Sequence, residues 1–207
     1  MKRRRLWAGL AGTAAAATGV VIWAIQSQSA AAPESDAASA ARKTSEAHAL
    51  LQAGILQEKY QDYDGAARTY RRVLELDPGS EHAWYNLGVL AQQDGRTADA
   101  HAAYDKALKI DPSFTSALFN QALLLKSSQP DRALALLRRA TAVNPKAATA
   151  HLHIGNILAK KDRGKEAEAS FRRAVAADPS LHSQLPESFK DSVSPSPSPT
   201  SSQAGTR

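Results

Sequence analysis

Apolar residues follow three regimes along this chain. Residues 6–25 (LWAGLAGTAAAATGVVIWAI) run without a single charge. Between residues 47 and 180, apolar positions recur at three- and four-residue steps, as in EHAWYNLGVLAQ and TADAHAAYDKALKI with the polar QDGR between them. Residues 192–207 (SVSPSPSPTSSQAGTR) are rich in Ser and Pro and nearly devoid of apolar side chains. The middle regime predicts pairs of amphipathic helices joined by short turns. The last predicts a disordered tail, because it has too little apolar surface to offset chain entropy.

Within the middle regime the pattern repeats. Asp77-Pro78, Asp111-Pro112, Asn144-Pro145 and Asp178-Pro179 are spaced 34, 33 and 34 residues apart, with a one-residue deletion near Gln129. Small residues recur at Gly54, Gly88, Ala122 and Gly155, and again at Ala66, Ala100, Ala133 and Ala167. Large ones recur at Tyr70, Tyr104, Leu137 and Phe171. Ala49, Ala83, Ala117 and Ala150 form another column, as do Val73, Ala107, Ala140 and Ala174. Gly or Ala permits close helix approach, the large residue fills the space beside it, and proline ends the second helix.

These residues resemble the tetratricopeptide repeat family, whose W-x2-L-G-x2-Y, A-x3-F, A and P pattern is met most fully by Trp84, Leu87, Gly88, Ala100, Tyr104, Ala107 and Pro112. Departures are Ala91 for an aromatic, Gln121 in an apolar column, and His151 in the tryptophan place. The resemblance implies an all-α, right-handed α-solenoid of about four helix-turn-helix repeats with a concave groove. The expected divisions are repeats at 47–80, 81–114, 115–147 and 148–181, with a linker and helical extension at 26–46. A capping turn follows at 182–191, then the tail at 192–207.

The first regime changes the picture. Twenty uncharged residues span about 30 Å as a helix, the thickness of a bilayer core, so residues 6–25 are expected to form one N-terminal transmembrane helix, with Trp7 and Trp23 near its ends. Lys2, Arg3, Arg4 and Arg5 in the basic 1–5 segment favour a cytoplasmic N-terminus and repeats on the extracytoplasmic, periplasmic side. A cleaved signal peptide fits the same segment, with Ser29 and Ala31 flanking a cut before Ala32, and would make the protein secreted. Ala8, Gly12 and Ala16 form a small-residue line suited to helix pairing, hence a homo-oligomer.

Composition then narrows function. The chain has 207 residues and no cysteine, which excludes disulfides, Cys-ligated zinc and thiol catalysis. Of the net charge of +6, four units come from the first five residues, so the body is nearly balanced and no nucleic acid partner is expected. The six histidines are dispersed, and no phosphate loop, nucleophile elbow or HExxH spacing occurs. The chain is expected to be no enzyme and to carry no cofactor or metal.

What the resemblance implies is binding along the first helices. The groove would be lined by Gln52, Ile55 and Lys59; by Tyr85, Asn86, Val89 and Gln93; by Phe119, Asn120 and Leu123; and by His153 and Asn156. Asn86 and Asn120 can both donate to and accept from a peptide main chain, or simply reflect the consensus of the repeat. Tyr85 and Phe119 serve as apolar anchors or as packing between repeats. A clamp for a chaperone's terminal carboxylate lacks its charge, since the matching places hold His82, Ser116, Gln52, Asn120, Thr149 and His153. The Arg71-Arg72, Asp105-Lys106, Arg138-Arg139 and Arg172-Arg173 pairs of the second helices read as a solvated face or, less simply, a platform for anionic headgroups or an acidic partner.

The function expected from these readings is a membrane-tethered adaptor that holds a partner protein's peptide or helix, serving assembly of an envelope, secretion or cytochrome-maturation complex. The alternatives are an import-receptor-like protein of the mitochondrial outer membrane with cytosolic repeats, and a structural oligomer without a peptide ligand.

Overall fold

The computed structural model describes residues 36–193, all helix and turn, with no strand among them. The helices are α1 (Asp36–Lys59), α2 (Tyr63–Leu76), α3 (Glu81–Gln93), α4 (Thr97–Ile110), α5 (Thr115–Leu125), α6 (Pro130–Val143), α7 (Ala148–Lys160), α8 (Gly164–Ala177) and the single turn α9 (Glu187–Lys190). Short 3-10 turns at Pro179–Gln184 and Asp191–Val193 flank α9. The chain divides into two units, Met1–Arg42 and Lys43–Arg207. Of the first, only the opening turns of α1 are described, and the packing below concerns the second. Among the described residues no helix is long and apolar enough to cross a membrane. The segment 6–25 expected to do so lies outside them, as does nearly all of the expected tail.

Each odd-numbered helix from α3 to α7 packs on the next to form a hairpin, and each hairpin packs its first helix on the second helix of the one before. The repeating columns explain why. Tyr70, Tyr104, Leu137 and Phe171 are all 0 % exposed. A Cβ added at Gly88 would lie 2.6 Å from the Tyr104 ring, and Cβ atoms at Gly54 and Gly155 would clash equally with Tyr70 and Phe171. Where the small residue is Ala122, its partner is the narrower Leu137. The small member of the pair is larger where the large member is shorter, as close packing demands. Ala83, Ala117 and Ala150 are buried, whereas Ala49, whose hairpin has no predecessor among the described residues, is exposed.

The turns between hairpins share one device. After the helix-ending residue, Asp77, Asp111, Asn144 and Asp178 accept through Oδ1 from the backbone N–H two residues on, at 3.0, 2.8, 3.1 and 3.0 Å. Proline stops the helix, and the short side chain closes the turn that follows. The carbonyl of the turn proline is satisfied too: Trp84 Nε1 donates to Pro78 at 3.3 Å, Arg139 to Pro112 at 2.6 Å, and His151 Nε2 lies 3.0 Å from that of Pro145. A carbonyl only accepts, so Nε2 of His151 carries the proton, and histidine reproduces the tryptophan's bond. Gln121 is 1 % exposed, and its amide donates to Asp105, so a polar residue in the apolar column is satisfied.

Within hairpins the first helix ends in a left-handed residue: Gln61 (φ 63°), Gly95 (φ 72°) and Asp162 (φ 56°). The backbone N–H that follows bonds five residues back, from Asp62 to Gln57, Arg96 to Ala91 and Arg163 to Leu158, the closure typical of a helix stop. The third hairpin has no such residue; its one-residue deletion falls here, and Pro130 opens α6 directly. At the far end, Leu181, Leu185 and Val193 are buried, and the Phe189 ring packs at a tilt 5.0 Å from that of Phe171, so the turns after α8 cover the last hairpin.

Candidate functional site

The first helices α1, α3, α5 and α7 supply the expected binding residues, and α3 touches α5 directly. Gln52, Ile55, Lys59 and Gln93 are exposed; Tyr85, Asn86, Val89, Phe119, Asn120, Leu123, His153 and Asn156 are half-buried. Tyr85 lies 5.1 Å from Phe114 and 5.9 Å from Tyr104, and its hydroxyl accepts from Asn120 Nδ2 at 3.1 Å. Phe119 lies 5.7 Å from His153. Both rings thus reach from one hairpin to the next.

The asparagines follow the tyrosines. Asn86 lies beside the Tyr70 hydroxyl and Asn120 beside that of Tyr104, each in the hairpin after the ring's own. The next member of the column is His153, and the preceding hairpin there has Leu137, which offers no hydroxyl. A second column answers the same rings from within the hairpin. Tyr104 donates to Gln92 Oε1 at 2.9 Å, and Glu58 is the corresponding group beside Tyr70. The Tyr70 hydroxyl and Glu58 Oε1 are buried, and neither completes a hydrogen bond. Burial pushes the Glu58 carboxyl above its ordinary value, and burial together with the Glu58 charge pushes the Tyr70 phenol up strongly.

In the third hairpin both columns change together. Leu137 replaces the ring, and Lys126 stands where Glu58 and Gln92 stood. With no hydroxyl to answer and a shorter side chain than tyrosine at the crossing, a cavity of about 460 Å³ lies there. Ala122, Leu123, Leu137 and Ile157 line it with apolar surface; Lys126, Lys160, Lys161, His153 and Asn156 supply its polar groups. Lys161 is tied to Asp131 at 2.8 Å. Among the described residues no carboxylate pairs with Lys126 or Lys160. Burial, and then the Lys126 charge, hold the His153 imidazole below its ordinary value.

The structure therefore brings together Leu123, His153 and Asn156 of the expected residues, and places Gln52 and Asn86 elsewhere along the row. Lys126, Lys160 and Ile157 were not singled out from the sequence. The signal for Lys126 was its break with Glu58 and Gln92 in a shared column. Among the described residues no group of three or more His, Cys, Asp or Glu is placed to hold a metal.

Helical hairpins of 33 to 34 residues, stacked in chain order with small-to-large crossings, define a helical-repeat protein. The chain belongs to the tetratricopeptide repeat family, whose profile matches residues 51–113 and 122–182. No curated protein shows significant similarity to it. Among solved structures it is similar to a MamA protein, with 20% identity over 72% of this chain and 86% of that one and a TM-score of 0.62. It is similar to YrrB, described as a TPR protein with an unusual peptide-binding site, with 24% identity, coverage of 65% and 70%, and a TM-score of 0.59. A third is pilF of Pseudomonas aeruginosa, at 22% identity, 68% and 65% coverage and a TM-score of 0.60. These likenesses establish a shared fold.

Proposed function

We propose that the protein is a non-enzymatic adaptor whose first-helix face holds a peptide or helix of a partner protein, and that residues 6–25 tether it to a membrane with the repeats on the extracytoplasmic side. The observation that carries the binding reading is the cavity between α5 and α7. It sits on the first helices, mixes an apolar floor with polar groups, and falls within the size range of small binding sites. YrrB, which shares the fold, is described as having an unusual peptide-binding site. The tether rests on the length of the uncharged segment and on the cations ahead of it; tethering would raise the local concentration of any captured partner at the membrane.

The test is site-specific photo-crosslinking in membranes of the native host. A photoreactive residue at position 123 should trap a defined partner, whereas one at position 172, on the exposed face of α8, should not. Equal trapping from both positions, or trapping from position 172 alone, defeats the groove reading. Carbonate extraction and protease protection of the repeats test the tether and its orientation, and separate it from an import-receptor-like arrangement with cytosolic repeats.

A further inference from the structure

The cavity of the third and fourth hairpins differs from the rest of the row by substitution, not by accident of shape. At the crossing where Tyr70 and Tyr104 fill space in the first two hairpins, Leu137 leaves it open. The residue that would have answered a hydroxyl, Glu58 or Gln92, becomes Lys126. One register further on, Lys59, Gln93 and Ser127 lead to Lys160. Apolar floor and positive rim therefore coincide at one place along the face.

Charge balance on this rim is one-sided. Asp131 is engaged by Lys161, through contacts of 2.8 and 2.9 Å, which leaves Lys126 and Lys160 as exposed cations with no carboxylate paired to them among the described residues. No Asp or Glu lines the cavity. His153, depressed by its burial and by Lys126, adds an uncharged imidazole that can hydrogen-bond, and the Asn156 amide can both donate and accept. Resting on the groove reading above, we infer that this cavity recognises an internal acidic side chain, Asp or Glu, placed beside a bulky apolar residue in a peptide segment of a partner protein. The apolar side chain fills the floor formed by Ala122, Leu123, Leu137 and Ile157; the carboxylate meets Lys126 and Lys160. Opposite charges steer association and set specificity at such a rim, while the buried apolar contact supplies most of the affinity.

The experiment uses the full chain in detergent micelles and a library of random dodecapeptides displayed as internal fusions, so that no free C-terminal carboxylate is presented. The wild type should enrich peptides with Asp or Glu within about one helical turn of Leu, Ile, Met or Phe. The Lys126→Glu/Lys160→Glu variant should lose them and select Lys or Arg instead. The best wild-type peptide, made synthetically with both ends blocked, should bind Lys126→Ala/Lys160→Ala about tenfold more weakly, and raising salt should shrink that gap. Both lysines are exposed, so the variants are expected to match the wild type in helicity and thermal midpoint, which circular dichroism checks. Enriched peptides without an acidic bias, or an acidic bias that survives charge reversal, overturn the inference and leave the groove reading standing. If no peptide is enriched, or if enrichment is untouched by Leu123→Asp, the groove reading falls with it.

Discussion

At the scale of single residues, the crossing of each hairpin is a contest between one small and one large side chain. Replacing Gly88 with alanine gains about 1 kcal/mol of helix propensity, but the new methyl would sit 2.6 Å from a ring that is fully buried and has nowhere to go. Overpacking costs about 1–3 kcal/mol, so urea unfolding of Gly88→Ala should show a net loss of about 1 kcal/mol. In a Tyr104→Leu background, which copies the Ala122 and Leu137 pair, the same change should become neutral or stabilising, a coupling that a double-mutant cycle reads directly. A cycle with no coupling would mean the ring is not what forbids the methyl. This pairing was legible from sequence, because two columns 15 or 16 residues apart vary in opposite senses. The roles of Asn86 and Asn120 were less so: their link to Tyr70 and Tyr104 crosses from one hairpin to the next, and only the structure shows which ring each amide reaches. His153 carries a second residue-scale prediction. Its imidazole is depressed by burial and by Lys126, so the unfolded chain takes up its proton first as pH falls. Its full contribution is present above the ordinary value of 6.5 and is lost as pH drops through the lower folded value. Unfolding measured from pH 8 to pH 5 should show a steeper loss for the wild type than for His153→Asn, which installs the residue found at positions 86 and 120. Parallel profiles would refute this.

Elements are set by how their ends are closed, and here the sequence was only half legible. The Asp-Pro and Asn-Pro pairs mark the ends of the second helices, but their acceptor bonds to the residue two positions on depend on turn geometry that composition does not reveal. The ends of the first helices were harder still. Glycine announces a left-handed stop at Gly95, whereas Gln61 and Asp162 adopt the same conformation without being glycine. An L-residue there pays about 1 kcal/mol or more for the contact between its Cβ and the carbonyl that follows. Gln61→Gly should therefore raise stability by about 0.5–1 kcal/mol, net of the extra freedom that glycine gives the unfolded chain. Gly95→Ala should lower it by a similar amount, because the backbone must keep its positive φ to let Arg96 bond Ala91 at 2.8 Å. Thermal unfolding of the two variants checks both signs. If Gln61→Gly destabilises, a side-chain contact of Gln61 outweighs the strain. The one-residue deletion in the third hairpin belongs to the same scale. It removes the left-handed position itself, and with it the need for a glycine, and it leaves Ser127 and Pro130 at the mouth of the cavity.

For the molecule as a whole, stacked repeats depend on their neighbours, and each hairpin is stabilised by the interfaces on its two sides. The number and order of hairpins were legible because six columns recur at a fixed spacing. The candidate site was not, because it arises where two columns depart from their pattern at once, and the space that Leu137 does not reach becomes a cavity only once α5, α6 and α7 are in place. The two ends of the array differ in what covers them. After α8 the chain folds back and buries Leu181, Leu185 and Val193. In the first hairpin Ile55, Leu56, Tyr60 and Tyr63 stay 43, 52, 73 and 45 % exposed. Opening the first hairpin thus forfeits one interface, whereas opening the last also strips its cover. Hydrogen exchange should find the amides of α1 after Lys43 and of α2 least protected, those of α4 to α7 most protected, and α8 close to the centre. Ending the chain after Asp178 should remove that difference, so that α8 exchanges about as fast as α2 while α4 and α5 change little. If α8 kept its protection without the segment that follows, Leu181, Leu185 and Val193 would be passengers on the last hairpin, and its stability would have to come from the α6 to α7 interface alone.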